Sequence, residues 1–146
     1  MPLKEDSEIA EVLRSTRSIA LTGASHKPSR PSYEVMEFLL LQGYTVYPIN
    51  PALAGRQLLG QTVFASLAGV PERVDMLDVF RNPAFLPEIV DEAIACQVPV
   101  LWTQLGVVDD AAARRAEDNG IRVVMDRCPK IELPRLARGG LLETRR

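Results

Sequence analysis

Apolar residues along this chain alternate between short continuous runs and longer stretches with helical spacing. The continuous runs predict five strands, at 18–22, 44–49, 75–80, 98–102 and 121–125. The helically spaced stretches predict helices at 7–15, 32–42, 83–95 and 110–119, several of them bounded by Asn, Asp or Gly. A short strand is expected near 62–64, within an otherwise irregular segment. The pattern therefore predicts strands and helices in regular alternation.

This alternation indicates the fold class. Strands that are apolar on both faces are typical of a parallel sheet covered by helices on both sides. We therefore predict an α/β fold, a Rossmann-like doubly wound parallel sheet that forms a single three-layer domain over residues 1–134. Residues 135–146 carry four arginines and two glycines, which predicts a basic C-terminal tail. The chain beyond Glu132 is expected to be loosely held.

Composition and charge narrow the class of partner. The 146 residues suit one soluble globular domain, and the net charge of −2 argues against nucleic acid as the main ligand. No apolar run approaches the ~20 residues of a membrane span, and the polar, acidic first residues do not resemble a signal peptide. Cys96 and Cys128 lack metal-ligand spacing, so we expect no metal site and favour a cytoplasmic protein over a disulfide scaffold.

The segment around Gly23 predicts a binding site. An apolar strand ends at Thr22, a short polar loop follows, and Pro31 then opens a helix. A helix N-terminus presents unpaired N–H groups and the positive end of the helix dipole, so this turn suits an anion. Lys27 and Arg30 add positive charge, and Gly23 is expected to let a phosphate approach the backbone. The expected partner is a phosphorylated small molecule at the carboxyl ends of the strands.

The residues around this turn narrow the choice of nucleotide. A typical dinucleotide site has three glycines in the first loop and an acidic residue at the end of the second strand. Here the loop has only Gly23, and the second strand ends in Pro48-Ile-Asn-Pro51 without a carboxylate. Six basic residues are expected around the site instead: Lys27, Arg30, Arg56, Arg81, Arg127 and Lys130. This balance favours a nucleotide with an extra phosphate, either coenzyme A or NADP.

Six segments in the same order carry a resemblance to a known family. They are Ala20-Leu-Thr-Gly-Ala-Ser25, Arg30-Pro-Ser-Tyr33, Gly43-Tyr-Thr-Val-Tyr-Pro-Ile-Asn-Pro51, Val74-Asp-Met-Leu-Asp-Val-Phe-Arg81, Leu101-Trp-Thr-Gln-Leu-Gly-Val107 and Val124-Met-Asp-Arg-Cys-Pro-Lys130. From about Ser18 to Glu132 the chain resembles the small single-domain coenzyme A-binding proteins, which are similar to the CoA-binding domain of the succinyl-CoA synthetase alpha subunit. The resemblance implies a Rossmann-type domain that binds coenzyme A through its ADP portion.

The resemblance also implies which residues contact the cofactor. The matched positions are Gly23, Ala24 and Ser25 in the phosphate loop, Asn50-Pro51 after the second strand, Phe80-Arg81 on the adenine side, and Gln104 and Gly106 in the turn after the strand at 98–102. The family's lysine after the second-loop proline has no counterpart, and Arg56 is the candidate substitute. With the residues argued from charge and position, the candidate cofactor-binding set is Gly23, Ala24, Ser25, Lys27, Arg30, Pro48, Asn50, Pro51, Arg56, Phe80, Arg81, Gln104, Gly106 and Arg127.

Some of these residues have structural alternatives. Arg81 and Arg127 can instead form ion pairs with Asp78 or Asp126. Lys27, Arg30 and Arg56 can be solvated surface charges, and these alternatives stay open at the level of sequence.

The residues predict a binding module without catalytic residues. His26, the only histidine, lies in the first loop and lacks a recognisable triad partner. Cys128 lies beside Arg127 and Lys130, which predicts a lowered thiol pKa and allows a mixed disulfide with a thiol ligand, although a structural role is favoured. The alternative is an NADP-linked or acyl-CoA-processing enzyme component that needs a partner chain. A homo-oligomer and a complex with a partner enzyme are both compatible with the sequence.

Overall fold

The computed structural model describes residues 1–143, which form a central sheet of five parallel strands. The strands are β1 (Ser18–Thr22), β2 (Thr45–Ile49), β5 (Met76–Val79), β6 (Val100–Thr103) and β7 (Arg122–Val124). A separate antiparallel ribbon joins β3 (Gln57–Leu58) to β4 (Gln61–Thr62). The strand order in the sheet is β2-β1-β5-β6-β7, so the order reverses between β1 and β5.

Five α-helices cover the two faces of this sheet. They are α1 (Asp6–Ser15), α2 (Pro31–Leu41), α3 (Leu86–Ala95), α4 (Asp110–Asp118) and α5 (Pro129–Arg138). The buried side chains of α1, α2 and α5 share one apolar cluster, and those of α3 and α4 share the other. The predicted Rossmann-like, doubly wound three-layer domain is therefore confirmed.

Burial on both faces explains why the strands are continuous apolar runs. In β1 all five residues are buried, with Ile19 and Leu21 in the cluster of α1, α2 and α5 and Ala20 in the cluster of α3 and α4. Successive side chains of a strand point to opposite faces, so a strand between two helical layers needs apolar residues at every position.

The C-terminal helix α5 differs from the sequence prediction. Residues 133–138 are not loosely held, because α5 continues to Arg138 and buries Leu133 and Leu136. The Arg135 guanidinium also joins this helix to α1 through two 2.9 Å hydrogen bonds to the Asp6 carboxylate. The predicted boundary at residue 134 falls inside α5. Residues 144–146 of the predicted tail lie outside the described part of the chain.

The segment between β2 and β5 is more ordered than predicted. The short strand expected at 62–64 is displaced to β4, and Phe64 instead forms a single parallel bridge with Ile49. A 3-10 helix covers Leu67–Gly69. No helix within residues 1–143 is both long and apolar enough to cross a membrane.

Candidate functional site

A cleft of about 790 Å³ opens at the carboxyl ends of the strands, where the strand order reverses. In doubly wound sheets this is the position at which ligands bind. Eight of the predicted site residues line the cleft: Gly23, Ser25, Lys27, Arg30, Phe80, Arg81, Gln104 and Gly106. Other lining residues, which the predicted set did not include, are Glu34, Val35, Asn82, Leu105, Cys128 and Lys130.

Gly23 is required by the fold at the point where β1 ends. Its φ is +85°, and a Cβ built on it would lie 2.2 Å from the carbonyl oxygen of Phe80. The backbone of Phe80, which directly follows β5, therefore occupies the space that a Cβ on Gly23 would need. The N–H groups of Gly23 and Ala24 both donate to the carbonyl of Ile49 at 3.2 Å, so neither is free for a phosphate.

The free backbone donors of the first loop lie one step further along the chain. The N–H groups of Ser25 and His26 donate to no other described residue, whereas the N–H of Lys27 donates to Oγ of Ser25 at 3.1 Å. Ser25 lines the cleft, and α2 begins shortly after this loop at Pro31. The part of the loop that suits an anion is thus 25–31 rather than the glycine itself.

Four cations surround the cleft: Lys27, Arg30, Arg81 and Lys130. None of them forms an ion pair with another residue of the 143 that the structure describes, and Glu34 is the single carboxylate among the lining residues. The Arg81 guanidinium stacks on the ring of Phe85, with its central carbon 4.1 Å from the ring centroid. The net positive charge of the lining indicates an anionic ligand.

Helix N-termini reinforce this positive potential. The N-terminal ends of α2 and α5 both border the cleft, with Arg30 and Cys128 as the residues that precede their first turns. A third turn begins at Asn82, whose side-chain oxygen accepts a 2.9 Å hydrogen bond from the N–H of Ala84. Each helix N-terminus contributes partial positive charge and unpaired N–H groups, so the backbone and the side chains favour the same type of ligand.

Besides Arg127, five predicted site residues lie away from the cleft lining. Pro48 is buried in the edge strand β2, Pro51 and Arg56 are exposed beyond its end, and Ala24 is buried under the first loop. Asn50 has a structural role here, because its side-chain N–H donates to the carbonyl of Ala24 at 2.8 Å. This bond fastens the loop after β2 to the loop after β1, and the structure does not bring these five residues to the cleft surface.

Arg127 is held by α5 rather than turned to the cleft. Its guanidinium donates to the Glu132 carboxylate at 2.8 Å, and its carbonyl accepts a 2.8 Å bond from the indole of Trp102. Hydrogen bonds from Arg135 and Arg127 outweigh the burial of Glu132 and lower the pKa of that carboxyl. The ion pairs that the sequence allowed with Asp78 or Asp126 do not form.

The turn of Gln104 and Gly106 is fixed by side chains around it. The Gly106 N–H donates to the Asp126 carboxylate at 2.7 Å, and the Thr103 hydroxyl donates to the carbonyl of Val107 at 2.6 Å. The Gly106 N–H is therefore occupied within the protein, while Gln104 and Leu105 of this turn also line the cleft.

Asp78, which bonds to the cleft residue Gln104, is a further residue that the predicted set did not include. It is fully buried on β5, the middle strand of the sheet, and its Oδ1 accepts a 3.0 Å hydrogen bond from Nε2 of Gln104. Burial raises the pKa of Asp78 to about 7, although the bonds from Gln104 and Val79 oppose the shift. A carboxylate inside the apolar run Met76-Leu-Asp-Val79 was the available signal, because buried strands seldom carry an unpaired charge.

The two candidate nucleophile or base residues are poorly arranged for catalysis. His26 is exposed, and its side chain bonds to no described residue. The predicted lowering of the Cys128 pKa is wrong, because burial raises the pKa of this half-buried thiol more than Lys130 and the helix N–H groups lower it. Within residues 1–143 no cluster of His, Cys, Asp or Glu suits a metal ion.

Fold and cleft together define a doubly wound α/β domain with a positively charged crevice at its strand-order reversal. The family model of the CoA binding domain matches residues 17–134, and the chain belongs to this family.

Three relatives illustrate the range of the similarity. The uncharacterized protein YneT of Bacillus subtilis is 33% identical over 125 residues, which cover 86% of this chain and 91% of that protein. The structure of ID.343 from Thermus thermophilus has a TM-score of 0.87 at 38% identity and covers 91% of this chain and 99% of that one. The alpha subunit of ADP-forming acetate–CoA ligase I of Pyrococcus furiosus is 31% identical over 86 residues, which are 56% of this chain and 19% of that subunit. The chain thus resembles whole small proteins and one portion of a ligase subunit.

The role of Gly23 in the fold can be tested by Gly23→Ala. We expect a loss of about 3 kcal/mol or more in unfolding free energy, from left-handed strain of about 1–2 kcal/mol and the collision with the Phe80 backbone. Gly60→Ala is the matched control, since Gly60 has a φ of +79° but no heavy atom within 4 Å of a built Cβ. Urea unfolding of both variants measures the difference. Equal losses in the two variants would contradict the role given to Phe80.

The buried Asp78 predicts a specific pH dependence of stability. Its folded-state pKa of about 7 lies above the ordinary value, so the folded state binds the proton more tightly than the unfolded chain. The stability that this proton supplies is complete below about pH 4 and is lost as the pH rises towards 7. As the pH rises from 5 to 7.5, we expect the unfolding midpoint of the wild type to decrease relative to that of Asp78→Asn, whose side chain cannot ionise. Parallel midpoint curves for the two proteins would show that Asp78 does not titrate in this range.

Proposed function

We propose that this protein binds coenzyme A or an acyl-CoA, with the ADP portion in the cleft at the carboxyl ends of the strands. The observation that carries the proposal is the group of four unpaired cations, Lys27, Arg30, Arg81 and Lys130, placed around helix N-termini at the strand-order reversal. Coenzyme A carries a diphosphate and a separate 3′-phosphate, so its negative charge matches this lining. Membership in the CoA-binding family supports the same ligand.

The end of β2 favours coenzyme A over NAD. An NAD site places a carboxylate there for the ribose hydroxyls. In this chain the position after Ile49 is Asn50, and its side chain is already engaged with the Ala24 carbonyl and the Ala52 N–H. A ligand bound here would depend on its phosphate groups rather than on a ribose clamp.

The proposed role is binding without catalysis. An acyl-transfer enzyme needs an activated nucleophile and a positioned base. His26 is solvent-exposed, and the pKa of the Cys128 thiol is raised, so neither group is activated in the described chain. The second candidate role is an acyl-CoA-processing component that works with a partner chain, and the similarity to a ligase alpha subunit over 86 residues favours it.

Ligand choice is tested by titration calorimetry of the purified protein with coenzyme A and with NAD. We expect coenzyme A to bind at least tenfold more tightly than NAD. The extra phosphate of coenzyme A can contact the cations of the cleft, whereas the protein offers no carboxylate to the ribose hydroxyls of NAD. Acetyl-CoA serves as a third ligand, and the coenzyme A thiol that cleavage of its thioester would release is assayed after the titration. Equal or tighter binding of NAD would overturn the assignment, and release of thiol above background would favour the catalytic component.

The cations are tested in the same titration with Arg30→Ala and Arg81→Ala. A hydrogen bond to a charged group contributes about 1.5–3 kcal/mol, so each variant should lose about tenfold or more in affinity for coenzyme A. Arg73→Ala is the control, because this exposed arginine lies near the amino end of β5, away from the cleft. Dephospho-coenzyme A identifies the arginine at the 3′-phosphate, since its substitution should then matter less. Unchanged affinity in both cleft variants would make these arginines solvated surface charges.

A further inference from the structure

The Asp78 carboxylate is an anomaly in an otherwise apolar part of the core. Its Oδ1 accepts the bond from Gln104, but its buried Oδ2 has no hydrogen-bond partner within residues 1–143. A buried polar atom without a partner destabilises the folded state, so it calls for a functional explanation.

The surroundings of Asp78 exclude a structural ion pair. Its partners in register on the adjacent strands are Leu21 on β1 and Trp102 on β6, both fully buried and without charge. Just before α5, the titratable group that interacts with Asp78 is the Cys128 thiol, whose pKa the Asp78 charge raises further. Among residues 1–143 no cation pairs with this carboxylate, and the one side chain that hydrogen-bonds to it is the amide of Gln104.

The bond between Asp78 and Gln104 determines which end of the amide faces the cleft. Only the NH₂ group of a glutamine can donate to a carboxylate, so Oε1 of Gln104 is directed away from Asp78. No residue of the described chain donates to this Oε1, and it is not among the buried unpartnered atoms. Because Gln104 lines the cleft, Oε1 is an accessible acceptor there.

We propose that Asp78 is a positioning residue for ligand selectivity, because it holds Gln104 with its carbonyl oxygen towards the cleft and so selects a ligand that offers an N–H donor at this point. The inference rests on the proposed function. In coenzyme A, N–H donors are present in the adenine amino group and in the two amides of the pantetheine arm. Gln104 supplies the contact, and Asp78 acts only through it.

Protonation of Asp78 changes this selectivity. A protonated carboxyl can donate to Oε1 and turn the NH₂ of Gln104 towards the cleft, which replaces the acceptor by a donor. Since burial raises the pKa of Asp78 to about 7, binding should be tighter above neutrality and weaker below it. The other charged or titratable groups that line the cleft are Lys27, Arg30, Glu34, Arg81, Cys128 and Lys130.

A double-mutant cycle tests the positioning. Coenzyme A is titrated at pH 8 into the wild type, Asp78→Val, Gln104→Leu and the double variant. Each single variant should lose about three- to tenfold in affinity, the range of one hydrogen bond, and the double variant should lose no more than Gln104→Leu alone. The unfolding midpoint of Asp78→Val at this pH should stay at or above that of the wild type, because a buried carboxylate without a countercharge has been removed. Additive losses in affinity would overturn the proposal.

Asp78→Asn tests the effect of Asp78 protonation on binding. Because this substitution keeps the shape of the side chain, it also replaces Asp78→Val if that variant folds poorly. The ratio of coenzyme A affinities at pH 8 and pH 6 should be several-fold larger for the wild type than for Asp78→Asn. The phosphates of the ligand and the other groups of the cleft titrate alike in both proteins, so they cancel in this comparison. Equal ratios would contradict the proposal.

Two fragments of coenzyme A identify which of its N–H groups donates to Oε1 of Gln104. Adenosine 3′,5′-bisphosphate carries the adenine without the arm, and 4′-phosphopantetheine carries the arm without the adenine. The fragment whose binding Gln104→Leu weakens supplies the N–H group, and a loss with neither fragment would overturn the selectivity. If the wild type binds coenzyme A but the cycle is additive, only the role of Asp78 fails. If the wild type does not bind coenzyme A, the proposed function fails with it.

Discussion

The close approach of Gly23 to the backbone of Phe80 is the constraint on which the rest of the cleft depends. β1 lies between β2 and β5, and after Thr22 the chain must leave the sheet while its N–H groups still bond to Ile49. A left-handed residue without a Cβ permits this exit. The chain then passes to α2 on one face of the sheet, whereas the chain after β5 passes to α3 on the other. The crevice between these two connections is the cleft.

Electrostatics then determine what this crevice can hold. Its rim carries four unpaired cations and the N-terminal ends of α2 and α5, while the Asp78 carboxylate is buried below it without a countercharge. The cations are tolerated because most of them are exposed to water, where a charge is stable without a partner. Asp78 has no such solvation, and its raised pKa is the sign of that deficit. A site that combines exposed cations with a buried acid favours phosphates at the rim and a neutral polar group further in.

Sequence patterns predicted the sheet well because every residue of β1, β5 and β6 is buried, and β1 was predicted with its observed bounds. They failed for α5, where the arginines and glycines beyond Glu132 predicted a loosely held tail. Pro129 occupies the first turn, which needs no N–H partner, and the burial of Leu133 and Leu136 offsets the bond that Pro134 cannot make.

Within the site, local sequence could suggest residues but not their long-range partners. Lys27, Arg30 and Arg81 were predicted from charge near strand ends, and these residues do line one cleft. Arg127 has the same sequence signal, yet Glu132 on α5 holds it elsewhere. The Ile49 carbonyl accepts hydrogen bonds from the Gly23 and Ala24 N–H groups because β1 pairs with β2. The sequence of the loop alone does not indicate these bonds.

The end of β2 shows how a structural requirement and a ligand preference can coincide at one residue. Asn50 supplies an amide donor to the Ala24 carbonyl and an acceptor to the Ala52 N–H. A carboxylate at this position could accept from Ala52 but could not donate to Ala24, so the first loop would lose one of its attachments. The amide therefore stabilises the loop next to the cleft. It also occupies the position at which an NAD site has a carboxylate for the ribose hydroxyls. A nucleotide that binds beside such an amide must be held mainly through its phosphates, as the positions of Lys27, Arg30 and Arg81 allow.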